Sequence, residues 1–236
     1  MGYIFVGVMS LWEMKQVSEN EQVFGLQQSF KIDGYVVIPE FVPPGVAALI
    51  SNYARIRVAN KDMDIMDDGF VDFALTNYGD YITEAMLVQV IGLIEGVVDC
   101  KLAPTYSYLR YYRDKDKLPV HVDRYSCQYG VTLCCGYDYN KDATWPIHIR
   151  GKDGKKKTVI QKPGDAMVYL GCELEHWRDQ IPGGHHVQVH LHYVGKDEPY
   201  ADELTLDTRY RLGQKSTTRK SDIIKKYEEI QANSKR

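Results

Sequence analysis

HHVQVHLHYV (185–194) alternates polar and apolar residues from His186 to Tyr193. Val187, Val189, Leu191 and Tyr193 fall on one face of a strand, and His186, Gln188, His190 and His192 fall on the other. A sandwich strand hides its apolar face and wets the polar one. A barrel strand can instead turn polar side chains into an interior pocket while helices cover its outside. The segment ITEAMLVQVIGLIEGVV (82–98) is apolar on most faces and reads as a buried helix that needs a sheet face to cover, which favours the barrel. The same alternation recurs in TYSYLRYYR (105–113), where Tyr106, Tyr108, Arg110 and Tyr112 share a face. It recurs again in LEHWR (174–178), where Leu174, His176 and Arg178 do.

Outward from these strands the texture is uniform from about residue 105. VHVDRYS, GVTLCCGYD, WPIHIR, KTVIQ and AMVYL follow one another, separated by turn material such as RDKDK, GKDGKKK, KPGD and IPGG. Upstream, SFKIDGYVVIPEFVPPGVAALISNYARI (29–56) predicts a strand at Tyr35–Ile38, a break at Pro43-Pro44 and then a helix. Residues 61–80 are acidic and irregular, a surface loop or lid. DIIKKYEEIQANSKR (222–236) predicts a charged amphipathic helix. Helices followed by many short strands make an α+β chain with a sandwich or barrel as its β part. The reading is one domain over 1–236: helical support and first strands in 29–104, the β core in 105–195, and a C-terminal helix in 220–236.

Composition excludes several classes. With 29 basic and 32 acidic residues the net charge is −3, which gives no electrostatic case for nucleic acid or an anionic membrane. Five cysteines, odd in number and without a CxxC pair, argue against a disulfide framework and a structural zinc site. The apolar opening MGYIFVGVMSLWEM is too short to span a bilayer and lacks a basic n-region. It also has Val6 where a myristoylation signal needs Ser or Thr. The expectation is a cytoplasmic protein.

PVHVDRYS (119–126) places His121 and Asp123 on one strand face. An HxD pair is most commonly a surface ion pair, so a third group must decide. His148, His185, His186, His190 and His192 are available by composition, and His176 is best placed, on a short strand after KPGD and AMVYL. Two imidazoles and a carboxylate on one face of a divalent ion leave three positions open, the arrangement of non-haem Fe(II) sites. A zinc hydrolase can use the same ligands, although no general-base carboxylate stands at a recognisable spacing.

These pieces, in order, resemble the Fe(II)/2-oxoglutarate-dependent oxygenases of the prolyl-hydroxylase-like and phytanoyl-hydroxylase-like kind. SFKIDGYVVIPEFVPPGVAALI resembles their N-terminal strand and helix. YYRDKDKLPVHVD resembles their tyrosine, loop and HxD segment, and KPGDAMVYLGCELEHWRD the run carrying the distal histidine. The resemblance implies a double-stranded β-helix (jelly-roll) core flanked by N-terminal helices, with Fe(II) held by His121, Asp123 and His176. It implies 2-oxoglutarate and O₂ as co-substrates, with ascorbate as a supporting reductant. The expected product is a hydroxylated C–H bond of a small molecule, an amino-acid derivative or a peptidyl side chain, because Asp123 occupies the position that related halogenases leave open for chloride, although the same triad can support desaturation or ring closure.

One position departs from the pattern. About ten residues after the distal histidine the family sets an Arg or Lys for the far carboxylate of 2-oxoglutarate, and here the stretch is GGHHVQVHL. His186 could serve there, with Arg178 and Arg110 as rival clamps, and Tyr112 matches the tyrosine that donates to 2-oxoglutarate. Arg124 should turn away to an ion pair, and Trp145 and His148 should sit at the pocket rim or pack on the surface. The missing cation keeps open a second reading, a cupin-like metal-binding protein or degenerate homologue without oxygenase activity.

Overall fold

In the computed structural model, which describes residues 11–65, 74–139 and 143–214, the chain forms two antiparallel sheets with helices covering the larger. Helix α1 (Leu11–Asp33) leads into β1 (Tyr35–Ile38). Pro43 and Pro44 then open α2 (Pro44–Ala59), where a fixed φ suits a first turn and no N–H is lost. The short β2 (Asp64–Ile65) and β3 (Leu75–Tyr78) precede helices α3 (Tyr81–Gln89) and α4 (Ile91–Val98). The remaining strands are β4 (Leu102–Arg113), β5 (Leu118–His121), β6 (Tyr129–Asp138), β7 (Ile147–Arg150) and β8 (Lys156–Val159). After them come β9 (Ala166–Leu170), β10 (His176–Arg178), β11 (His185–Gly195) and a short α5 (Ala201–Leu204).

The larger sheet runs β1-β9-β6-β11-β4-β3-β2 and the smaller β5-β10-β7-β8. From β4 to β11 the chain passes back and forth between them, which is jelly-roll winding. β11 is central, paired with β4 on one side and β6 on the other. Its apolar residues Val187, Val189, Leu191 and Tyr193 are completely buried. They share one core with Ala47, Ile50 and Ala54 of α2, Leu87 of α3, and Ile94 and Val97 of α4. Each of the valine, leucine and isoleucine side chains contributes about 1.5–3 kcal/mol. The polar face of β11 is therefore turned inward between the sheets, as the barrel reading requires. His186, Gln188 and His192 are at most 5% exposed.

Several elements differ from the sequence expectation. The apolar run 82–98 is two helices, broken at Val90 (φ −95°, ψ −2°) and bent by 49°. The bend lets α3 pack on β4 and β11 while α4 turns to meet α1, two surfaces that one straight rod could not cover. No single helix among the described residues is long and apolar enough to cross a membrane. Within 61–80, β3 extends the larger sheet by pairing with β4, so that part is a strand rather than a loop. Nothing in the sequence reading anticipated α1. The C-terminal helix expected in 220–236 and residues 1–10 lie outside the described residues.

The segment after β11 returns to the core as an anchor. Asp207, 1% exposed, accepts from both guanidinium nitrogens of Arg124 (2.8 Å each), from Ser126 Oγ (2.8 Å) and from Tyr78 OH (2.6 Å). Burial works against its charge, but Arg124 and the hydroxyl donors hold the carboxyl below its ordinary range. A folded-state pKa below the unfolded one gives stability that is complete above about pH 4 and is lost as pH falls through the native value. Asp207→Asn should lower the free energy of unfolding by about 3 kcal/mol at pH 7, near the low end for breaking a buried pair because Arg124 is partly exposed. Urea unfolding at pH 7 and pH 3 should show the gap to the unmodified protein narrowing in acid.

Candidate metal centre

His121 ends β5 and His176 begins β10, and the two are direct partners in the antiparallel register. Asp123 lies two residues beyond the end of β5, where its backbone N–H donates to Gly171 O (2.8 Å). It reaches the histidines from a loop, not from the strand face that its spacing suggests. Gly171 is required there, because a Cβ would come within 2.6 Å of Asp123 Oδ2. Asp123 Oδ1 stands 3.5 Å from His121 Nε2 and 3.6 Å from His176 Nε2, and the two rings are 4.2 Å apart.

The backbone sets the tautomers. His121 Nδ1 lies 2.8 Å from Pro119 O, and His176 Nδ1 lies 2.9 Å from Leu174 O. A carbonyl oxygen only accepts, so each Nδ1 carries the proton and each Nε2 presents its lone pair. Two lone pairs then face one carboxylate oxygen, a repulsive arrangement unless a cation sits between them. Neighbouring ligands on one ion at about 2.1 Å lie roughly 3 Å apart, close to the distances observed. Burial alone would raise the Asp123 carboxyl, but positive charge at the position of His176, His121 and His192 draws it far below the carboxylate range, whether a proton or a metal ion carries it. Burial pushes His176 down, with Asp123 partly opposing. An ionised carboxylate and a neutral imidazole are the forms that bind a metal.

Tyr169 of β9 completes the corner. Its hydroxyl donates to Asp123 Oδ2 (3.1 Å) while its ring packs edge-on against His176 at 4.8 Å, leaving Oδ1 aimed at the histidines. The ring lies across Gly130 of β6, where a Cβ would meet it at 2.5 Å. Neither residue was singled out from the sequence. The available signal was a tyrosine on the inward face of β9, opposite a glycine that leaves it room.

Behind this corner lie the other four candidates. Arg178 is 3% exposed and donates to Trp145 O (2.6 Å), Gln161 Oε1 (3.0 Å) and Gln188 Oε1 (3.2 Å), with Trp145's ring at 4.7 Å. All three acceptors are neutral, and no carboxylate pairs with this guanidinium among the described residues. Tyr112 is fully buried, accepts from Arg110 Nη1 (3.3 Å) and packs on Trp145. His186 is paired on both ring nitrogens, with Tyr139 OH at Nδ1 (2.6 Å) and Gln188 Oε1 at Nε2. Burial and the nearby Arg178 push it well below its ordinary pKa, so it is neutral. Gln188 passes the network on to Thr132 Oγ1 (2.6 Å).

The remaining candidates separate. Trp145 is buried beside Arg178 and His186, not on the surface. His148 points to the other side of the smaller sheet, against Trp177, Thr158 and Asp179. His185 stacks on Tyr111 away from the metal set. His190 and His192 face the interior, and Arg124 turns to Asp207 as an ion pair.

No protein-family model matches the chain, and no curated protein matches it in sequence. Solved structures do. SnoN of nogalamycin biosynthesis, an alpha ketoglutarate dependent epimerase, superposes with a TM-score of 0.64 at 12% identity over 85% of this chain and 99% of its own. A Pseudomonas putida prolyl-4-hydroxylase gives 0.61 at 13% identity over 74% and 99%. HygX of Streptomyces hygroscopicus, solved with nickel and 2-oxoglutarate, gives 0.56 at 12% identity over 73% and 87%. At these identities the likeness is one of fold.

If Tyr169 fixes which carboxylate oxygen faces the histidines, Tyr169→Phe should weaken Co(II) binding about 10-fold or more, as loss of an outer partner does. Gly130→Ala, which displaces the ring, should act in the same direction. Both are measured by titrating the apo-protein and following the visible cobalt bands.

Proposed function

Given that this chain carries the fold of the Fe(II)/2-oxoglutarate oxygenases, we propose that it is a non-haem Fe(II)- and 2-oxoglutarate-dependent dioxygenase. Its reaction is hydroxylation of an unactivated C–H bond in a small molecule, an amino-acid derivative or a peptidyl side chain. The observation that supports this most is the convergence of His121 Nε2, His176 Nε2 and Asp123 Oδ1, three Lewis bases with no proton of their own to separate them. They would hold the iron. Iron with 2-oxoglutarate bound supplies O₂ activation, with the keto acid leaving as succinate and CO₂.

The chain's own residues bind, orient and exclude water. Arg178 is the clamp for the far carboxylate, because it is a buried cation whose described partners are all neutral. Burying a charge without a counter-charge costs several kcal/mol, and an arriving carboxylate offsets that cost. Tyr112 stands beside it as a hydroxyl donor, and Arg110 supports Tyr112. His186 is a spacer here: with both nitrogens occupied and its charge suppressed, it orients Gln188, which accepts from Arg178. The clamp thus moves from β11 to β10, two residues past the distal histidine.

O₂ and a soluble substrate are the partners this reading needs, with neither nucleic acid nor membrane, and five free cysteines fit a cytoplasmic setting. The occupied His186 also supports the alternative of a metal-binding homologue without oxygenase activity. Anaerobic titration with Fe(II) and then 2-oxoglutarate separates the two readings. The expected outcome is a weak visible charge-transfer band, absent in His176→Ala. In Arg178→Gln the band should need roughly 30-fold more 2-oxoglutarate, as loss of a buried charge partner predicts. Iron binding without any band would leave the non-catalytic reading in its place.

A further inference from the structure

Beside the first set, the interior wall carries a second group of donors. Asp123, Cys127 and His192 each offer one ligand atom, and the three atoms lie within 4.8 Å of one another. They come from three separate pieces: the loop after β5, the 3₁₀ turn Tyr125–Cys127, and β11. Cys127 is 2% exposed and His192 is 5% exposed. Tyr106 holds both, with its hydroxyl 3.0 Å from Cys127 Sγ and its ring 4.6 Å from the His192 ring.

On the same wall His192 carries an unsatisfied polar atom, as the neighbouring His190 does at Nε2. The Nδ1 of His192 is buried and has no hydrogen-bond partner among the described residues. A buried orphan of this kind costs about 1–3 kcal/mol.

The donor chemistry names the ligand class. A thiolate, an imidazole and a carboxylate are softer than the two imidazoles and carboxylate next to them, and they suit zinc-like ions. Tetrahedral zinc, with bonds of about 2.0–2.3 Å, sets its ligands roughly 3.3–3.8 Å apart, so from within 4.8 Å the group must close by up to about 1.5 Å. We propose that Asp123, Cys127 and His192 form a second divalent-ion site that prefers zinc-like ions and shares Asp123 with the His121–His176 pair. Binding replaces the Cys127 S–H bond by an S–metal bond and releases the proton to solvent, with no change of oxidation state. Because one carboxylate serves both groups, an ion held by Cys127 and His192 weakens the hold on an ion at the histidine pair. Only the identity of that other ion rests on the oxygenase reading.

Cobalt spectroscopy on the full chain tests the site. Thiolate ligation gives Co(II) a strong near-ultraviolet charge-transfer band that nitrogen and oxygen ligands do not. The expected result is this band in the unmodified protein and in His121→Ala, its loss in Cys127→Ser, and its displacement by added Zn(II). Cys127→Ser should retain the visible cobalt bands of the histidine site, which also shows that it is folded. His192→Gln should require about 10-fold more Co(II) to reach the same thiolate band. Absence of the band in the unmodified protein, or its survival in Cys127→Ser, overturns the proposal. The His121→Ala arm keeps this outcome apart from a failure of the iron reading, since that variant lacks the first set and retains the second.

Discussion

A strand buried on both faces must satisfy every polar side chain it carries from within the protein. β11 is that strand. Its apolar face anchors the helices to the larger sheet, and its polar face is buried between the two sheets. The inward groups are bonded in a chain, from Tyr139 through His186 and Gln188 to Thr132, with Arg178 joining at Gln188. Such a network is tolerable only when nearly complete. Its conspicuous gaps are the uncompensated charge of Arg178 and the unpartnered His190 Nε2 and His192 Nδ1, and these are the places where a ligand would complete it.

The loop bearing Asp123 and Cys127 would be an unreliable place for a site if it were held only by its ends. It is held instead by the segment after β11. Asp207 grips Arg124 and Ser126, the neighbours of those two residues. A second buried pair, Glu84 with Arg209, fastens the same segment to α3, and Arg209 also donates to Thr105 O (2.8 Å). Charges buried in this way add little net stability, but they fix position, since displacing either partner strands the other.

Electrostatics inside the cavity follows from the same burial. Desolvation drives the interior imidazoles toward the neutral form, His192 to about 4, and the guanidinium of Arg178 adds to this at His186. Asp123 stays ionised among them. The space between the sheets thus carries Lewis bases at His121, Asp123 and His176 and a buried cation at Arg178.

Much of the fold was legible because alternation and turn residues are local properties. The run 185–194, the strand at Tyr35–Ile38, and the choice of an inward polar face all follow from spacing and from a helix that needed covering. The kink at Val90 was not legible, because α1 and the sheet compete for that helix only once both are in place. The HxD spacing pointed to the right neighbours by a partly wrong route: β5 ends at His121, and Asp123 is carried back by its bond to Gly171. Side-chain type and order along the chain determined which residues were candidates, His121, Asp123, His176 and Arg178 among them. Only tertiary packing decided which atoms face each other, since the distance between sheets, the reach of Tyr169 over Gly130 and the pairing of His186 depend on contacts between residues far apart in sequence.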